Sequence, residues 1–350
     1  MKTMALKSPK ESLSARKAAR PVAVRFSEEE LIETSFFNPD RPLPLVVRPK
    51  GEMKLEDWAP RNQAFIERNL RKYGAILFRG FGVDTVERFE SSVNAFTDRL
   101  MTYTEGATPR LTLKDKVYTS TEFPAEHPIA LHNELSYIVT YPTKLWFSCV
   151  TAPPVGGETP IADVRRVYER ISPATRAKFE AKGWMLVRNY GDGLSLPWQT
   201  VFHTDDKDTL AEYCRNNKVE VEWKDDTRLR TRHIRPATRI HPVTGEKVWF
   251  NHIAFWHVSS LEPALREEFL KQWSEMELPY NTFYGDGTPI EPEVADELRA
   301  AYDAETVMFR WEAGDVVMID NISVAHGRSP YAGPRRILAA MGEAYTDPTI

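Results

Sequence analysis

The sequence predicts a mainly β fold, a jelly-roll or β-sandwich core with helical buttresses. Three observations carry this. From Leu131 onward, short apolar runs rich in β-branched and aromatic residues follow one another. Turn signals (PPVGG, HPVTG, EAGD and YAGP) separate them. Helical patterns interrupt the series but do not alternate one for one with strands, as a doubly wound sheet requires. The GFG at Gly80–Gly82 does not complete a G-x-G-x-x-G dinucleotide fingerprint.

Taken in order, residues 55–71 carry apolar positions at helical spacing, and GAILFRGFG (74–82) is a glycine-bracketed apolar run suited to a buried strand. Residues 86–100 read as a second helix. The β-type runs are then KLWFSCV (144–150), WMLVRNY (184–190), VEVEW (219–223), KVWFN (247–251), TVMFRW (306–311), DVVMID (315–320) and RILAAMGEAY (336–345). Helical patterns fall at 164–182, 263–276 and 292–304. The basic, polar residues 1–22 lack an apolar signal core and read as a disordered tail, with one domain over 23–350.

Composition narrows the function classes. A net charge of −4 gives no global basic field for nucleic acid or an anionic membrane. No apolar run approaches the roughly 20 residues needed to span a bilayer. Cys149 and Cys214 form neither a disulfide framework nor a CxxC pair, which fits a reducing cytoplasm. The chemistry points to a small-molecule substrate, and oligomeric state stays open.

His132-Asn133-Glu134 puts an imidazole and a carboxylate two residues apart, on one face if the segment is a strand. His326, after the DVVMID run, supplies a third ligand type. Two histidines and one carboxylate are the facial set of non-haem iron(II) oxygenases, which leaves coordination positions open. Either part alone is weak, because such tripeptides and lone histidines are common. Arg336 lies ten residues after His326 and opens a late core strand. An arginine inside a barrel needs a carboxylate partner, which its planar fork binds in bidentate fashion. Its neighbour Arg335 is expected to face the other way.

The segments YGAILFRGFG, LHNELSY, PPVGGETPIAD and GDVVMIDNISVAHGRSPYAGPRRIL resemble the taurine dioxygenase family of iron(II)/2-oxoglutarate enzymes, in the family's order, over roughly residues 55–345. The resemblance implies a double-stranded β-helix (jelly-roll) core, iron(II) as metal, and 2-oxoglutarate and O₂ as cosubstrates. It implies that His132, Glu134 and His326 are the iron ligands and that Thr159 and Arg336 hold the distal carboxylate of 2-oxoglutarate. Glu134 keeps the carboxylate that related halogenases lose. Where the taurine enzymes carry a further arginine for the sulfonate, this chain has Ala340. RNYGDGLSLPWQTVF and VWFNHIAFWH resemble hydroxylases of amino-acid substrates, with the syringomycin aspartyl hydroxylase group, which acts on a carrier-tethered residue, as the nearest comparison.

Substrate-side candidates are Arg188 and Asn189 on a strand near the mouth, Trp198, Gln199 and Phe202 in a loop opened by Pro197, Asn251 and His252 after a β run, and Arg328 two residues past His326. Each also has a plain structural reading as a packed, capping or salt-bridged residue. His233, His241 and His257 lack zinc-site spacing and read as structural. Desaturation or cyclisation by the same enzyme class, a non-catalytic metal-binding jelly roll and a zinc hydrolase are the alternatives at this stage.

Overall fold

Two sheets face each other across the main core. The larger has eight strands in the order Ile32–Ser35, Leu45–Pro49, Ala75–Phe78, Val316–Asp320, Thr140–Thr151, Arg336–Thr346, Val117–Thr119 and Thr112–Lys114. The smaller has four: Thr306–Val307, Ile161–Asp163, Val324–Arg328 and Ile129–His132. The computed structural model describes residues 28–102, 112–114, 116–120, 123–191, 193 and 195–350, and the basic stretch over 1–22 lies outside them. The jelly-roll class expected from the sequence is the class observed.

Strand alternation explains why the central runs are apolar at consecutive positions. On Thr140–Thr151, Leu145, Phe147 and Cys149 enter the core between the sheets, whereas Trp146 faces outward to the helices. On Arg336–Thr346, Ile337, Ala339 and Met341 point inward, and Leu338 and Ala340 outward. Both faces are covered, so neither face can be polar. The outer cover includes Gln63–Tyr73 and Val86–Phe96. The latter is capped by Thr85, which accepts from Arg88 N–H, and buries Phe89, Val93 and Phe96. Burying such side chains contributes about 1.5–3 kcal/mol each. Gly74 ends the preceding helix at φ 77, where a Cβ would lie 2.4 Å from Val324 Cγ2.

A third sheet (Val219–Trp223, Leu229–Arg235, Trp184–Tyr190, Tyr280–Tyr284) packs Trp184, Leu186 and Tyr284 into the main core. Its second strand, LRTRHIR, carries too many cations to read as β. Arg235 is nevertheless buried, because its guanidinium donates to the carbonyls of Tyr137, Asn217, Lys218 and Ile234. Further expectations change. The 55–71 pattern divides into the helices Leu55–Trp58 and Gln63–Tyr73, separated by a 3-10 turn over Ala59–Asn62. The 164–182 pattern is two helices, Val164–Arg170 and Pro173–Lys182, broken where Ser172 caps the second ahead of Pro173. Of 306–311, only Thr306–Val307 pairs, against Ile161–Asp163. The chain then leaves the sheet and brings Trp311 to the site.

Candidate active site

His132 and His326 are paired directly across two antiparallel strands. Their ring centroids are 4.6 Å apart, and His326 Nε2 lies 3.6 Å from Glu134 Oε2. Ligand atoms of His132, Glu134 and His326 all fall within 4.8 Å of one another. His132 Nδ1 meets the Ala130 carbonyl at 2.8 Å, which makes that nitrogen the N–H donor and leaves Nε2 as the metal-facing lone pair. Two neutral imidazole nitrogens and a carboxylate at this spacing fit one divalent ion with open positions. The local geometry differs from expectation in one respect. The strand ends at His132, so Glu134 reaches the cluster from a turn, with Leu135 at φ 56, and not by strand alternation.

A cavity beside the cluster is lined by His132, His326, Phe147, Thr159, Arg335 and Ile337, among others. Arg336, the arginine expected there, is exposed and paired with Thr151 on the sheet. A bulge separates it from Ile337. Arg335 shares the inward parity of Ile337 and takes the place expected for Arg336. Its Nε donates to the Gly157 carbonyl at 3.0 Å, and Nη1 lies 3.4 Å from Ser120 Oγ. Burial, with Arg328 nearby, pushes its pKa down to about 10. Among the described residues no carboxylate lies within ion-pair distance of it. A half-buried cation without a carboxylate carries a desolvation cost, which an anionic ligand relieves. Thr159 is buried opposite, and its hydroxyl accepts from Trp311 Nε1–H at 3.1 Å. Indole can only donate, so the threonine proton is free to be given to a ligand oxygen. A cation and a hydroxyl donor at one end, and a metal cluster at the other, suit a short dicarboxylate.

The model of the family described as taurine catabolism dioxygenase TauD, TfdA matches residues 39–341. The chain belongs to this family. It is an iron(II)- and 2-oxoglutarate-dependent dioxygenase, with O₂ as the second cosubstrate. It is 39% identical over 276 residues to the dapdiamide synthesis protein DdaC of Enterobacter agglomerans, covering 79% of this chain and 84% of DdaC. It is 31% identical over 291 residues to a clavaminate synthase-like protein of Arabidopsis thaliana, again covering 79% and 84%. Among solved structures, PvcB of Pseudomonas aeruginosa aligns at TM-score 0.54 and 16% identity, covering 95% of this chain and 98% of PvcB. A taurine dioxygenase of Burkholderia xenovorans aligns at TM-score 0.50 and 19% identity, over 89% and 90%. These two likenesses concern the fold. Membership in a dioxygenase family sets aside the binding-module and zinc-hydrolase readings. No helix among the described residues is long and apolar enough to cross a membrane.

The substrate-side candidates of this dioxygenase divide. His252 stands beside the metal cluster, its ring 5.0 Å from His132 and stacked on Trp256 at 4.4 Å, with Nδ1 2.6 Å from Ser136 Oγ. Burial, with His132 adding to it, holds its pKa well below the ordinary imidazole range. Tyr137 bridges onward, 5.3 Å from His252 and 6.0 Å from the Arg188 guanidinium. Arg188 is fully buried and also lies over Tyr190 and Tyr280, at 5.1 and 5.3 Å.

The other candidates are engaged elsewhere. Asn189 faces away from Arg188; its amide donates to the carbonyls of Met276 and Leu278 and accepts from Arg230, so it pins a loop. Asn251 donates to Ala237 O and accepts from Ile253 N–H, which shapes the turn into the following helix. Trp198 and Phe202 pack into a satellite core with Tyr190, Leu210, Val219 and Trp223, and Gln199 is half-buried on the same short helix. Arg328 lines the cavity, but its fork donates to the carbonyls of Phe123, Pro124 and His127, which ties down that loop. Its expected partner was substrate or a carboxylate. Of the remaining histidines, His233 is fully buried and His241 meets Asp320 at 2.9 Å, as structural residues would. Sequence reasoning missed Arg335, Trp311, Phe147, Ile337 and Tyr137. Tyr137 lies inside LHNELSY, and Arg335 and Ile337 lie inside the GDVVMIDNISVAHGRSPYAGPRRIL segment that carries His326; Trp311 and Phe147 lie in no motif tied to the metal.

Proposed function

We propose that this dioxygenase hydroxylates an unactivated C–H bond of a small amino-acid-type substrate, free or presented on a carrier protein. Its iron would be held by His132, Glu134 and His326. The net change converts R–H, O₂ and 2-oxoglutarate to R–OH, succinate and CO₂. Iron(II), when bound, supplies O₂ activation and a chelation point for the keto acid. The protein fixes geometry around it. Arg335 pairs with the distal carboxylate of the cosubstrate, and the Thr159 proton donates to the same group, which sets the cosubstrate's orientation. Phe147 and Ile337 keep the cavity dry.

The observation carrying the substrate class is the buried cation Arg188 within an aromatic cage, one ring removed from His252 beside the metal. A guanidinium set among tyrosine rings suits a carboxylate, and the rings suit the rest of an amino-acid-sized molecule. DdaC, a dapdiamide synthesis protein, lends this reading support. The test is a panel of amino acids, free and carrier-loaded, incubated with iron(II) and 2-oxoglutarate. Succinate release and a mass gain of one oxygen atom are followed. A substrate whose turnover collapses in Arg188→Ala is expected. If every amino-acid-type compound leaves succinate formation at its substrate-free rate, the proposed substrate class is wrong.

A further inference from the structure

Glu134 lies beyond the last ladder pair of its strand, in a turn, and needs another hold if its carboxylate is to stay opposed to both histidines. Asn321 supplies one. Its carboxamide is completely buried, and Oδ1 accepts from Glu134 N–H at 2.8 Å. Nδ2 donates to the carbonyl of Glu134 at 3.0 Å and to that of Pro142 at 2.8 Å. The clasp is reciprocal: Asn133, between the two ligands, donates from Nδ2 to the Asn321 carbonyl at 2.7 Å. The Asn321 backbone N–H donates to Thr143 O at 2.9 Å. Immediately before it, Asp320 Oδ1 accepts from the N–H groups of Ile322 and Ser323, shaping the turn that leads into the strand carrying His326.

We propose that Asn321 is a positioning residue for the metal carboxylate, locking the Glu134 backbone to the segment that delivers His326. This rests on His132, Glu134 and His326 being the ligands. An amide is required because the site needs one acceptor and two donors in fixed geometry. An ionised Asp of the same shape loses both donors, and Gln is a methylene too long. Groups that orient a ligand typically alter metal affinity ten- to a hundredfold, roughly.

The test titrates metal-free full-length protein with Co(II), a redox-inert probe, by calorimetry. Expected are a loss of Co(II) affinity of roughly tenfold or more in Asn321→Asp and Asn321→Ala. Thermal unfolding of the metal-free variants should remain cooperative. In a Glu134→Ala background, Asn321→Asp should leave the residual affinity unchanged, because the effect runs through Glu134. Wild-type affinity in Asn321→Asp overturns the proposal, as does an equal loss in the Glu134→Ala background. Failure of both single variants to fold also overturns it, by making Asn321 a folding residue. Wild-type protein that binds Co(II) no better than His132→Ala instead fails the ligand assignment itself.

Discussion

Two adjacent arginines separate at the residue scale. Arg335→Ala should raise the 2-oxoglutarate concentration needed for half-maximal succinate release, because a charge-assisted bond worth about 1.5–3 kcal/mol disappears. That corresponds to roughly ten- to a hundredfold. Arg336→Ala, at an exposed position, should leave that concentration near the wild-type value. The reverse pattern would return the role to Arg336. Sequence could not separate the two, because the strand they open is covered on both faces. Ile337 and Leu338 are equally apolar, so hydrophobicity carries no parity. The metal cluster was more legible: three ligand types of the right chemistry are visible as residues. Nothing in sequence announces that Trp311 leaves its predicted strand to orient Thr159. A second expectation concerns Cys149. Burial, with Asp315 adding to it, pushes its thiol up to about 12. The raised value keeps it protonated through neutral and mildly alkaline pH, so iodoacetamide should label it only after unfolding, as read by intact mass.

At the scale of single elements, the turn Pro153–Thr159 sets the cosubstrate end of the cavity. Gly156 has φ 66, and a Cβ there would lie 2.2 Å from Pro330 O. Gly157 has φ 71, and its Cβ would meet Pro153 Cγ at 2.6 Å and Arg335 Cδ at 3.1 Å. Gly157→Ala should therefore cost about 1–3 kcal/mol from backbone strain alone. It should also weaken cosubstrate binding by displacing Arg335. Urea unfolding and the 2-oxoglutarate dependence report the two effects separately, and a silent substitution would show the turn to be pliant. The turn was foreseeable from PPVGG, as were Trp184–Tyr190 and Val219–Trp223, whose patterns are simple. Leu229–Arg235 was not foreseeable, because its buried Arg235 is satisfied in part by the carbonyls of Tyr137 and Asn217, outside the strand, which no local pattern encodes.

For the molecule as a whole, distant segments are held together by a few buried polar ties within the apolar layers. Arg79 ends an early strand and forks onto Asp315, with Nε to Oδ1 at 2.9 Å and Nη2 to Oδ2 at 2.6 Å. Arg79→Ala strands the buried Asp315 carboxylate and should cost about 3–5 kcal/mol in chemical denaturation. An unaltered midpoint would mean that solvent reaches the gap. Fold class was legible because the alternation of strands, turns and helices is a property of the whole chain. The partnership of Arg79 with Asp315 was not, because 236 positions separate them. The imidazoles set opposite one another on Ile129–His132 and Val324–Arg328 have a mechanical consequence. A slip of one position would turn one ring to the far side of the sheet, so an ion gripping both acts as a rivet on strand registration. Saturating metal at a hundred times its dissociation constant adds about 2.7 kcal/mol to the native state. Chelator-stripped enzyme should accordingly melt several degrees earlier, with amide exchange quickening first along that short outermost strand.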